Sequence, residues 1–163
     1  MLHRMGEASL LAGELPAAVG AFELALARTR DLRDPIGESY ALMGVGVAQA
    51  RLGEFEPARD ALQRALELAG TSGEHLAEAR ALLGLSELYL ASGDPGQAVI
   101  FSEGAADVFG GMGAMLYAAR AFTMLSQAHS ALGATEAAKA ASGEAAALTR
   151  KLTGEAGICE AAC

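Results

Sequence analysis

His3, His75 and His129 are the side chains best suited to move a proton near neutral pH, and they stand far apart in the chain. None has a Cys, Ser or Asp at the spacing of a catalytic set, so acid–base and nucleophilic catalysis are not expected and no catalytic residue is assigned. Two glycine clusters, Gly44-Val45-Gly46 and Gly110-Gly111-Met112-Gly113, do not lead into the Lys-Ser/Thr pair that a phosphate-cradling loop requires. The second reads as a turn. Cys159 and Cys163 would share a face if their segment is helical, but no His or further Cys stands near them to complete a ligand set. They read as incidental thiols, with no metal and no cofactor expected. Recognition chemistry remains. Tyr40, Arg80 and Arg120 are spaced forty residues apart. Two guanidinium groups brought into line can clamp carboxylates with paired N–H donors; the alternative is that they pair locally with Glu38, Glu78 or Glu87.

The elements that position these residues repeat with the same step. Gly13, Gly53, Gly93 and Gly133 are each followed five residues later by Ala18, Ala58, Ala98 and Ala138, and twelve later by Ala25, Ala65, Ala105 and Ala145. Such a period marks an array of stacked supersecondary units. Each unit shows a leading helix before the glycine (Leu42, Val45, Ala48 and Leu52 in the second unit) and a returning helix after it (Ala58, Leu62, Ala65 and Leu66). The glycine suits the left-handed cap between them. Pro16, Pro57 and Pro95 fall in the first turn of the returning helix, and Pro35 opens a leading helix, where a missing N–H costs little. Thr71-Ser72-Gly73-Glu74 has capping-box spacing. The recurring alanines mark close helix approach. The boundaries expected are 1–40, 41–80, 81–120 and 121–152 within a single repeat domain, 1–163, with the tail 153–163 in the register of a truncated further leading helix. The first unit lacks about seven residues of a full leading helix, and neither end carries an obvious polar cap. Those ends point either to a segment of a longer protein or to end-to-end self-association.

Composition narrows the class. The 163 residues carry a net charge of −8 and no unit is basic, which argues against nucleic-acid binding. Apolar residues make up 52 %, aromatics only 5 %, and tryptophan is absent, a mixture that suits close-packed helices better than strands. The longest uncharged apolar run, near Val108 to Ala119, is too short to cross a bilayer. The first seven residues have no signal-peptide pattern. No membrane association and a cytoplasmic location are therefore expected.

Glycine, an aromatic, Leu or Pro two later, Ala at five, a large residue at nine and Ala at twelve resembles the tetratricopeptide repeat. The match is clearest in Gly53-Glu54-Phe55, Ala58, Leu62, Ala65 and in Gly13-Glu14-Leu15, Ala18, Phe22, Ala25. Gly6 and Gly46 supply the small residue seven before the turn; Ser86 and Ser126 replace it later, and Ser102 and Ser142 replace the large residue of the returning helix. The resemblance implies an all-α fold, a right-handed α-solenoid of four helix-turn-helix repeats. The forty-residue form is similar to the arrays of bacterial signalling and transcriptional regulators. It implies a non-catalytic protein–protein interaction scaffold that holds a partner helix or peptide in a concave groove. A peptide or small-molecule sensor and an accessory subunit of a biosynthetic enzyme are the alternatives. In this family the leading helices line the groove, which here implies Tyr40, Met43, Val47 and Arg51, then Arg80, Leu83 and Glu87, then Arg120, Met124 and Gln127. The chain contains no asparagine, which chaperone-binding members use to grip a terminal carboxylate, so that activity is not expected.

Overall fold

The structure, a computed structural model, describes the backbone of residues 1–161 and the side chains of residues 1–154. Left-handed turns punctuate it at Gly13, Arg33, Gly53, Gly73, Gly93, Gly113 and Gly133, with φ between 53° and 83°. The forty-residue sequence period is thus two structural steps of twenty. Among the described residues the turns separate eight helices: α1 Leu2–Leu11, α2 Leu15–Asp31, α3 Pro35–Leu52, α4 Phe55–Ser72, α5 His75–Ala91, α6 Pro95–Gly111, α7 Met115–Ala131 and α8 Thr135–Ala161. After each left-handed residue the next amide reaches back to an orphan helical carbonyl, as Glu54 N–H does to Gln49 O at 2.9 Å and Asp94 N–H to Tyr89 O at 2.8 Å.

Helix starts follow the prolines. Pro35 and Pro95 stand first in α3 and α6, and the preceding Asp34 and Asp94 accept from Gly37 N–H at 2.9 Å and Gln97 N–H at 3.1 Å. The capping box expected at Thr71–Glu74 does not form. α5 starts at His75, so Thr71 still lies in the last turn of α4, where its hydroxyl donates to Glu67 O and Leu68 O. The tail shows a second difference. α8 continues through residue 153, where the repeat register calls for a turn and a new element. Cys159 and Cys163 lie outside the residues whose side chains are described.

Each helix packs on its chain neighbour, and the leading helices α1, α3, α5 and α7 also touch one another in sequence. Among the described residues the returning helices α2, α4, α6 and α8 make no such contacts with each other. One layer in contact and the other splayed bends the stack, with the leading helices on the inside of the curve. The repeated alanines Ala18, Ala58, Ala98, Ala65 and Ala105 are buried as the close approach requires, whereas Ala145 is only half-buried.

Volume is exchanged across these seams. Phe22 is gripped between Gly6 and Gly44, and Leu62 between Gly46 and Gly84; a Cβ on Gly6 would lie 2.7 Å from the Phe22 ring, and one on Gly84 2.7 Å from Leu62. In the third unit the large residue is absent and the small ones grow. Ser86 and Ser102 share a buried hydrogen bond of 2.6 Å, and Met124 takes the register position held by Gly44 and Gly84. Ser86 and Ser102, which depart from the repeat pattern, thus compensate each other.

Candidate partner-binding trough

Side chains spaced three or four apart on a helix share a face. That rule brings Met43, Val47 and Arg51 of α3, Arg80, Leu83 and Glu87 of α5, and Arg120 of α7 around one hollow of about 340 Å³ on the inner layer. Tyr40 stands beside it, its ring centre 5.4 Å from the Arg80 guanidinium carbon. Met124 and Gln127 do not reach the hollow: Met124 is half-buried against the core around Ala105 and Ala106, and Gln127 is exposed. Met124 holds the register position of Gly44 and Gly84, and its longer side chain is spent on that core.

The hollow also takes His3, Glu7 and Leu11 from α1, Tyr117 from α7, and Phe22 at its base. Sequence reasoning missed these, although subtracting the period from Met43, Val47 and Arg51 lands on His3, Glu7 and Leu11. The shortness of the first leading helix hid the correspondence. Phe22 enters because Gly44, which lies against its ring, has no side chain to cover it.

Arg80 is the hub. Its Nη2 stands 3.4 Å from Glu7 Oε1, and its guanidinium lies over two rings, Tyr40 and, at 5.8 Å, Tyr117. Arg51 donates from Nε to Glu87 Oε1 at 2.6 Å, across the α3/α5 seam. The other candidate partners are engaged elsewhere, Glu38 with Arg30 and Glu78 with His75. Among the described residues Arg120 has no carboxylate within ion-pair distance, and it is exposed. Three arginines therefore face two glutamates in a chain that is acidic overall. His3, edge-on to Phe22 at 5.3 Å, is held below the usual histidine pKa by burial, with Glu7 pulling the other way and Arg80 adding to the fall. Tyr40 is pushed up, chiefly by burial.

Among the described residues no three His, Cys, Asp or Glu side chains gather as a metal site needs, and no helix is long and apolar enough to cross a membrane. An open trough with an apolar floor and paired charges at its walls is suited to gripping an elongated ligand.

Residues 41–109 match the tetratricopeptide repeat family. BtubC (BKLC) from P. vanneervenii is similar in structure, with a TM-score of 0.79 at 18 % identity over 94 % of this chain, which spans 63 % of that protein. A Podosopora anserina protein, described as a kinesin light chain with nearly identical TPR-like repeats, gives a TM-score of 0.65 at 17 % identity, covering 93 % of this chain and 74 % of its own. Both are likenesses of fold. No curated protein sequence matches significantly. The matched stretch runs from α3 through most of α6, where the repeat pattern and the seam packing are most complete. Residues 41–109 thus carry the pattern of the tetratricopeptide repeat, and the helices on either side extend the same α-solenoid.

Proposed function

We propose that the chain is a non-catalytic scaffold whose trough binds a helical or extended segment of another protein, with Arg80 and Arg120 receiving a carboxylate of that segment. Tetratricopeptide arrays work through extended concave surfaces. The observation that carries the reading is the unequal pairing of the trough arginines. Arg51 is bound closely by Glu87, Arg80 only loosely by Glu7, and Arg120 has no acidic partner among the described residues. A carboxylate entering between Arg80 and Arg120 gains charge-assisted hydrogen bonds at little cost in broken ones. Phe22, Met43 and Leu83 offer the apolar contact that supplies most of the affinity. The proposed setting is the repeat portion of a bacterial transcriptional or signalling regulator in the cytoplasm, a reading supported by the forty-residue period alone.

The test uses peptides displayed as a random library, selected on the full chain and then titrated by calorimetry. Selected peptides should carry Asp or Glu, and Arg80→Ala/Arg120→Ala should weaken them at least about tenfold, as the loss of a charge-assisted pair requires. Selected peptides that bind the double variant as tightly as the parent would refute the reading.

A further inference from the structure

We propose that Glu7 is a built-in occupant of the Arg80 subsite, a strap across the trough that a partner's carboxylate replaces as it binds. The proposal rests on the reading of the trough as a site for an acidic segment, and it names what that segment displaces. The pair reaches far. Glu7 lies on α1 and Arg80 on α5, and among the described residues the backbones of those two helices make no contact of their own. The two side chains therefore meet over α3, on the inside of the curve, and both line the same hollow. Moving the pair along the array by one forty-residue unit gives Val47 and Arg120. The arginine is kept and the acid is lost, which is why Arg120 stands without a carboxylate while Arg80 has one. The same subsite thus occurs twice, once strapped and once open.

The strap is built to yield. Glu7 Oε1 stands 3.4 Å from Arg80 Nη2 and also 3.4 Å from His3 Nε2, whereas Arg51 and Glu87 close to 2.6 Å. Its side chain is 43 % exposed, so water screens the attraction and solvates the carboxylate once it is released. Arg80 itself is held in place without Glu7, since its guanidinium lies over the rings of Tyr40 and Tyr117. Among the described residues Glu7 is the one acceptor that this guanidinium reaches, and it does so through Nη2 alone. A carboxylate arriving in the guanidinium plane can take two donors where Glu7 takes one. The exchange replaces a long single contact by a bidentate one.

The test is a calorimetric titration of an acidic peptide selected from a random library on the full chain, at about pH 7.5, where His3 is neutral. Glu7→Gln should tighten binding about two- to fivefold, the worth of a half-exposed ion pair that no longer has to be broken. Glu7→Asp keeps the charge and loses the reach, and it should tighten binding nearly as much. In an Arg80→Ala background, or Arg80→Gln if the helical spectrum is lost, Glu7→Gln should change nothing. A Glu7→Asp variant that behaves as the parent would mean plain repulsion between Glu7 and the ligand, and overturns the strap. A gain from Glu7→Gln that persists without Arg80 does the same. So does an affinity that Glu7→Gln leaves unchanged; the trough reading then stands if Arg80→Ala/Arg120→Ala still weakens the peptide, and falls with the strap if it does not. Selections on the parent and on Glu7→Gln that both yield no acidic peptide overturn the two together.

Discussion

At the scale of single residues, Arg33 shows how much of the backbone plan a side chain can conceal. It occupies the left-handed conformation that Gly73 and Gly113 adopt at the equivalent turns, with φ of 53°. A residue with a Cβ carries a penalty of about 1 kcal/mol there, partly offset in glycine by the entropy it loses on folding. Arg33→Gly should therefore raise stability by a few tenths to about 1 kcal/mol in urea unfolding; a loss of stability would mean that the guanidinium holds something more valuable. Because arginine stands where glycine is expected, the twenty-residue step was not legible in the sequence and only its double was. His3 gives a second prediction. Burial keeps its imidazole neutral in the folded chain, while the unfolded chain takes up a proton as pH falls through about 6.5. The contribution is fully present above that value and is lost as pH drops from it toward the lowered folded value. His3→Gln should flatten the dependence of stability on pH in that window, and an unchanged slope would contradict the buried, neutral state. His3 itself was visible in the sequence, but its seat beside Phe22 and Tyr40 was not, because nothing in a short first helix advertises which face it buries.

Elements were the most legible level, for definite reasons. The prolines at 16, 35, 57 and 95 each fix a first turn, and the four spaced glycines each fix an end, so helix boundaries follow from residues that tolerate few conformations. What the sequence hid was pairing between elements. Ser86, Ser102 and Met124 read as departures from a pattern when taken singly, and as one exchange of volume when α5, α6 and α7 are seen together. This makes a coupled prediction. Gly84→Ala places a Cβ 2.7 Å from Leu62 and should cost about 1–3 kcal/mol by overpacking. In a Leu62→Ala background, where the space is vacant, the same change should cost much less, and equal costs in both backgrounds would deny the contact. The caps can be checked in the same way. Asp34→Ala removes the acceptor for Gly37 N–H and should lower stability by about 0.5–2 kcal/mol in thermal or urea unfolding.

For the whole molecule, a linear stack implies stability shared between neighbours, so amide exchange should be slowest in α3 to α6 and faster in α1, which among the described residues touches only α2 and α3. The trough is a property of this level, since no single helix contains it. Seven of the ten side chains expected to line it do so because a three-or-four spacing survives any curvature; Tyr40 stands beside it, Met124 packs into the core and Gln127 is exposed. The most direct measurement is a titration of a selected acidic peptide into isotope-labelled protein, followed by amide chemical shifts. Perturbations should gather on α3, α5 and α7 around Arg51, Arg80 and Arg120, leaving the outer faces of α2, α4 and α6 still. Shifts that instead follow the outer helices, with the residues around Arg80 and Arg120 unmoved, would place the working surface on the wrong side of the stack.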